Sequence, residues 1–257
     1  MRFRRVLGTI LIHLGFDPRK LLRSILGLPL YLRQSITLLK WKIKHNNSEF
    51  SLRILPILSD FREFSGIAKG HYFHQDLWAA REVFQRKPDC HIDVGSRIDG
   101  FVAHILTFMD CFVVDVRELE SKVDGLHFLQ QDMMNAKISC EKYNSVSCLH
   151  ALEHFGLGRY GDTLDLDGWK MGLKAISKLV ASKGHLYLSV PIGQQAIEFN
   201  AQRIFAPQTI VSESLLNGLE LVCFSYVDDD GDFHKNVDLN QASDCRYGCG
   251  CFEFVKV

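Results

Sequence analysis

Residues 91–100, HIDVGSRIDG, limit what this chain can fold into more than any other stretch. Apolar residues lead in, Gly95 sits in the middle, and an apolar run over 101–109 follows. That order predicts a strand, a tight turn and a helix start. It is where an open α/β sheet receives a phosphate- or nucleoside-bearing ligand. A dinucleotide fingerprint wants three closely spaced glycines. Here only Gly95 and Gly100 are present, with Arg97 and Asp99 between them.

Downstream, apolar strands alternate with helical runs, which predicts a parallel sheet covered by helices on both faces. Strands are expected at 91–94, 111–116, 126–129, 143–149, 185–190, 219–226 and 249–257. The last two have no helix between them and should pair antiparallel. Trp169, Leu173, Ile176 and Val180 share one helical face, with Asp167 placed to cap its start and Gly184 its end. The expected fold is a Rossmann-like, seven-stranded, mostly parallel α/β sheet with a C-terminal antiparallel hairpin. It covers 69–257 and follows a basic helical N-terminal extension over 1–68.

The 257 residues carry no formal net charge, yet residues 1–45 hold ten Lys and Arg against one acid, Asp17. A basic arm on an acidic body suits an anionic surface. The start imitates a signal peptide, but Asp17-Pro18-Arg19-Lys20 follows its apolar run 6–16 in place of a small-residue cleavage site. That run is too short to span a bilayer. Leu21, Leu22, Ile25 and Leu26 keep helical spacing, and Pro29 should end that helix. A second basic, amphipathic run follows over 31–44 and includes Trp41. Two readings stand: an interfacial helix on an anionic membrane, or a helix packed on the protein's own core with its lysines outward. The polar break at 45–48 is the expected linker.

Eight cysteines show no short-spaced disulfide framework and are read as reduced, hence cytoplasmic, with peripheral membrane contact as the added possibility. Cys245, Cys249 and Cys251 lack the second half of a zinc ribbon and are read as strand cysteines. His150 and His154 have the four-residue spacing of a metal pair without the H-E-x-x-H order, and an EF-hand over the acids near 165 would need Glu where Lys174 stands. No metal is expected.

In such sheets ligands bind at the carboxyl ends of the strands. Asp93, Gly95, Ser96, Arg97, Asp115 and Asp132 should converge there. An acid in the position of Asp115 can accept from both hydroxyls of a ribose diol. Strand 143–149 leads into His150, Glu153 and His154; a histidine there can act as general base, or the segment is a structural turn. His71, Tyr72 and His74 can reach over a ligand, or they simply precede a helix over 76–85 capped by Asp76. Asn200 and Arg203 can bind a hydroxyl-rich or anionic acceptor, or lie on a solvated helix face.

HIDVGSRIDG, VVDVRE, FLQQDMM, YNSVSCLHALEHF and SKGHLYLSVP follow the motif order of class I S-adenosylmethionine-dependent methyltransferases, which the chain resembles over about 70–257. The longer GHYFHQD, CLHALEHFGLGRYGD and EFNAQRIF are similar to a bacterial and nematode family of unknown function, whose bacterial members accompany polysaccharide-synthesis genes. The resemblance implies S-adenosylmethionine as cofactor, bound at the Asp93–Asp132 set. It implies His154 or His150 as base with Glu153 orienting it, and a small-molecule or glycan acceptor, such as a sugar hydroxyl. No nucleic-acid partner is expected. Arg97 and Asp99 stand where that superfamily has glycines, and Asn144 where it has an acid. The alternative is therefore a non-methylating protein that binds a nucleotide or nucleotide-sugar, with Arg97 on the phosphate.

Overall fold

The computed structural model describes residues 15–45, 51–136 and 142–257. Most of the apolar run 6–16, the linker at 46–48 and Cys140 lie outside them. The chain divides into two compact units, 1–67 and 68–257.

In the first unit, one helix, α1 (Pro18–His45), runs through Pro29. The sequence alone predicts a break there. Proline removes one N–H donor and strains the preceding turn, but good helix formers on both sides carry the helix across. Asp17 caps the start, accepting from the Arg19 and Lys20 amides at 2.8 and 3.2 Å. Gly27 is the one buried residue of α1; a Cβ there would collide with the Leu58 carbonyl and the Phe61 ring.

The second unit is a mixed α/β sheet in the order β3-β2-β1-β4-β5-β10-β8-β9. Strands β1 (His91–Val94), β2 (Cys111–Asp115), β3 (Leu126–Gln130), β4 (Tyr143–Leu149) and β5 (Val180–Ile192) run parallel. β10 (Gly248–Lys256) lies antiparallel between β5 and β8 (Leu219–Val227). β6 (Ala196–Glu198) and β7 (Gln202–Ile204) form a separate hairpin. The expected seven strands become eight among the described residues, because β9 (Phe233–His234) adds a two-residue edge to Tyr226 and Val227. So short a pairing leaves no apolar alternation to read.

Helices cover both faces. On one, α3 (Gly168–Leu179) packs Trp169, Leu173 and Ile176 against the strands, and α4 (Pro207–Leu216) adds Ile210. On the other, α2 (His71–Arg86) contributes Trp78, Ala79 and Val83 beside Phe101 and Ile105. Two boundaries differ from expectation. β5 begins at Val180, paired with Tyr143, so Gly184 lies inside a strand and caps nothing. Asp167 stands at the N-cap position of α3 without a capping bond; its carboxylate holds Lys170 at 3.0 Å.

α2 starts five residues before the expected Asp76. Gly70, at φ +90°, breaks the chain, so His71–His74 form the first turn and Asp76 is buried within the helix. The apolar run after β1 is a π-type turn, Ile98–Val102, followed by a single helical turn, Ala103–Ile105, in place of a helix to Met109. Gly100 lets the Asp76 carboxylate press onto that turn, where any Cβ would collide with it.

Candidate functional site

The strand order reverses between β1 and β4, which opens a crevice at their carboxyl ends. The β1 turn is held from beneath. His91 and Asp93 are fully buried on β1, bridged by serines of β4. Ser145 Oγ lies 2.7 Å from His91 Nδ1, and His91 Nε2 lies 2.9 Å from Ser147 Oγ. Ser147 donates onward to Asp93 at 2.5 Å. Asp93 also accepts from Ser96 Oγ at 2.5 Å and Ser96 N at 2.9 Å, and Ser96 Oγ accepts from Leu149 N at 3.0 Å. Every polar atom in this chain of groups has a partner, which is what makes such burial tolerable. Asp93 and Ser96 shape the turn from below; neither reaches the crevice surface.

Above them lies a cleft of about 380 Å³, within the range of small-molecule sites. Gly95, at φ +72°, forms part of its floor; a Cβ there would come within 2.9 Å of Ala151 Cβ. Arg97 lines the wall. Its guanidinium is held by Asp99 at 3.1 and 2.9 Å and lies 4.8 Å from the Tyr72 ring centroid. The two residues standing in place of glycines thus pair with each other, and Arg97 becomes a cleft residue. Asp115 sits at the end of β2, both oxygens bonded to Arg117 at 2.9 and 2.6 Å. Asp132 closes a local turn, accepting from Met134 N at 2.9 Å and Asn135 Nδ2 at 2.8 Å. Val114, Met133 and Met134 give the cleft an apolar side.

The opposite wall is the 3₁₀ turn Leu152–His154. Its polar side chains are nearly enclosed. His150 Nδ1 lies 2.7 Å from Glu153 Oε1, and His154 Nε2 lies 3.7 Å from the same oxygen. His154 Nδ1 lies 2.7 Å from the Ala201 carbonyl. A carbonyl can only accept, so Nδ1 carries the proton and Nε2 the lone pair. Burial lowers the His154 pKa below its ordinary value, which keeps that lone pair free at neutral pH. Glu153 Oε2 and His150 Nε2 are buried without a hydrogen-bond partner.

The fold therefore brings His71, Tyr72, Gly95, Arg97, Asp115, Asp132, His150, Glu153 and His154 around one cleft. His74, Asn200 and Arg203 are not on it. His74 stacks on Phe233 with ring centroids 5.5 Å apart. Arg203 is neither solvated nor on a helix: it lies buried in β7, donating to the Glu153 and Phe155 carbonyls at 3.2 and 2.6 Å and to Leu166 at 3.1 Å. It braces the 152–154 turn through those carbonyls. Arg117, Tyr160 and Tyr247, not expected from the sequence, also line the cleft, from loops and from the approach to β10. Arg117, two residues beyond Asp115, was recoverable as a partner for that acid; the tyrosines carry no spacing signal.

The family described as Caenorhabditis protein of unknown function, DUF268, matches residues 96–245, more than half of the chain. The chain belongs to this family. The matched family region holds Arg97, Asp115, Asp132 and the 150–154 turn, while His71, Gly95 and Cys249 fall outside it. No curated protein matches the chain. Solved structures share its fold. NodS, an N-methyltransferase from Bradyrhizobium japonicum WM9 crystallised with S-adenosylhomocysteine, is 10% identical, with a TM-score of 0.50 over 73% of this chain and 88% of its own. A Galdieria sulphuraria protein described as a sarcosine dimethylglycine methyltransferase is 11% identical, with a TM-score of 0.53 over 71% and 85%. The [4+2]-cyclase SpnF is 10% identical, with a TM-score of 0.50 over 70% and 81%. At these identities the likeness establishes a Rossmann-like, methyltransferase-type fold; it does not specify the reaction.

Proposed function

We propose that this protein is an S-adenosylmethionine-dependent methyltransferase. The observation that carries the reading is one cleft lined both by acids and arginines and by a histidine whose Nε2 keeps its lone pair. The residues fit the cofactor. Asp115 is an acceptor for the ribose hydroxyls, with Arg117 sharing or yielding its oxygens. Val114, Met133 and Met134 offer a flat apolar slot for the purine, with Asp132 at its edge. Arg97, fixed by Asp99, is a partner for the methionine carboxylate. NodS, of the same fold, is crystallised with S-adenosylhomocysteine.

When bound, the cofactor supplies an activated methyl group on sulfonium sulfur. The chain's own task is alignment and proton removal. His154 Nε2 takes the acceptor's proton, with its tautomer set by Ala201. Glu153, held by His150, sits beside that imidazole and favours its charged form once the proton has moved. The acceptor class we favour is a sugar hydroxyl, supported by the three tyrosines, Tyr72, Tyr160 and Tyr247, that line the cleft. Isothermal titration with S-adenosylmethionine and S-adenosylhomocysteine tests the reading: heat and a thermal shift are expected with both, and neither at millimolar ligand would overturn it.

Three guanidiniums on the cleft, Arg97, Arg117 and Arg159, favour a second reading, a nucleotide-sugar-binding protein without methyl transfer. Titration with nucleoside diphosphate sugars separates the two.

We also propose that α1 lies on anionic membrane. Leu22, Ile25, Leu26, Ile36, Leu39 and Trp41 are exposed along it, flanked by basic residues. Among the described residues no helix is long and apolar enough to cross a membrane.

A further inference from the structure

His71, His150 and Cys249 come from distant parts of the chain: the first turn of α2, the residue after β4, and the second residue of β10. One donor atom from each lies within 4.8 Å of the other two. The methyl-transfer reading uses none of the three as a reacting group.

His150 is the informative member. Its backbone is held at φ +50°, a region that non-glycine residues seldom adopt, with its N–H donating to the Ser189 carbonyl and hydroxyl at 3.0 and 3.1 Å. Its side chain is only 4% exposed. Nδ1 is committed to the Glu153 carboxylate, so only Nε2 is left to ligate, and Nε2 is buried with no hydrogen-bond partner. A carboxylate on the far nitrogen of an imidazole is the arrangement that orients metal-ligating histidines and raises their basicity. His71 lies against it, ring centroids 5.3 Å apart, and is tied by its own ring to the Tyr247 backbone. Cys249 is fully buried behind them. It does not line the cleft, so it is badly placed to attack a substrate and well placed to serve as a ligand.

We propose that His71, His150 and Cys249 bind a zinc ion through two imidazole nitrogens and a thiolate, leaving one coordination position open toward the cleft. Two nitrogens and one sulfur suit zinc, and three protein ligands with an open fourth place is the pattern of non-structural zinc sites. Donor atoms around a tetrahedral zinc stand ~3.3–3.8 Å apart, so the set must contract by about 1 Å. His71, half-buried on the opening turn of α2, is the ligand free to move. A zinc-bound sulfur is a thiolate, so metal binding releases the thiol proton. The open position, beside Tyr247, takes water or an oxygen or nitrogen of whatever ligand fills the cleft. Zinc binding as such does not depend on the methyl-transfer reading.

The test uses the full chain, purified reduced and without chelator, in the absence of any cofactor. Elemental analysis should find one zinc per chain. Titration of the stripped protein with cobalt(II) should produce a thiolate-to-cobalt charge-transfer band saturating at one equivalent. Cys249→Ser should abolish the band, and His150→Gln should weaken binding at least tenfold, while Cys223→Ser leaves both unchanged. If Cys249→Ser loses its circular dichroism signal, His71→Gln replaces it, since that position is half-buried. A folded wild-type protein with no stoichiometric zinc and no thiolate–cobalt band would overturn the proposal. So would a band that survives intact in folded Cys249→Ser. Because no cofactor is present, either failure leaves the methyl-transfer reading standing.

Discussion

His154 and Ala201 are 47 residues apart in sequence, yet the Ala201 carbonyl sits 2.7 Å from His154 Nδ1 and decides which nitrogen carries the proton. A general base needs that orientation before it needs any particular pKa. His154→Gln should therefore lower kcat by about 10²–10⁴-fold, with little change in cofactor affinity, measured as methyl transfer to the accepted substrate and by titration. Burial lowers the His154 pKa. The base works deprotonated, so activity is lost as pH falls through that pKa, and the acidic limb of the kcat/KM profile should lie below the ordinary histidine range.

Arg97 should recognise the amino-acid end of the cofactor and nothing of its nucleoside. Losing a charge-assisted hydrogen bond costs ~1.5–3 kcal/mol, or about 10–100-fold in Kd. Arg97→Ala should weaken S-adenosylhomocysteine binding by that factor and leave adenosine binding unchanged. Tighter S-adenosylhomocysteine binding in the variant would mean that Arg97 merely obstructs the site.

Gly95→Ala combines a backbone held at φ +72° with a new Cβ 2.9 Å from Ala151 Cβ. A side chain in the left-handed region costs of order 1 kcal/mol before any crowding. For a unit of this size Tm should fall by roughly 4–8 °C, read by differential scanning calorimetry, if strain and crowding together reach ~2 kcal/mol.

Burial drives His91 down to about 3 and its neighbour through Ser147, Asp93, up to about 6. Their effects on stability have opposite signs. Unfolded His91 takes up a proton near pH 6.5 while folded His91 does not, so its contribution is lost as pH falls from about 6.5 toward 3. Asp93 is protonated in the fold below about pH 6 but in the unfolded chain only near pH 4, so its contribution grows as pH falls across that interval. Thermal melts from pH 7 to 4.5 should fall less steeply for His91→Gln than for wild type, and more steeply for Asp93→Asn.

Anionic vesicles should pellet the full chain, and neutral vesicles should not. Replacing Arg19, Lys20, Arg23, Lys40, Lys42 and Lys44 of α1 with Glu should abolish pelleting while the melting transition of the second unit stays in place. Equal pelleting of variant and wild type would exclude α1 as the contact.

The parallel half of the sheet was readable because each strand is a short apolar run ending at a polar or turn residue, as His91–Val94 and Cys111–Asp115 do. That Asp115 and Asp132 would meet at one cleft was readable for the same reason, since strand ends in such sheets share one edge. The start of α2 was not readable. His71–His74 look like a loop, and only Gly70's backbone and the burial of Gln75 and Asp76 make them a helix. Arg203 misled, because a single charged residue in a polar stretch carries no sign that four carbonyls will surround it.

Periodicity and strand-end chemistry, which are local properties of consecutive residues, determined from sequence alone that this is an α/β sheet with a cleft at the strand edge marked by Gly95. Which polar atoms face one another depends on loop closure over long separations, and only the tertiary structure decided it. The Ala201 carbonyl on His154, Asp99 on Arg97, and the meeting of His71, His150 and Cys249 are contacts of that kind. A buried polar group must find whatever partner the packed chain brings to it, and sequence spacing holds no record of that partner.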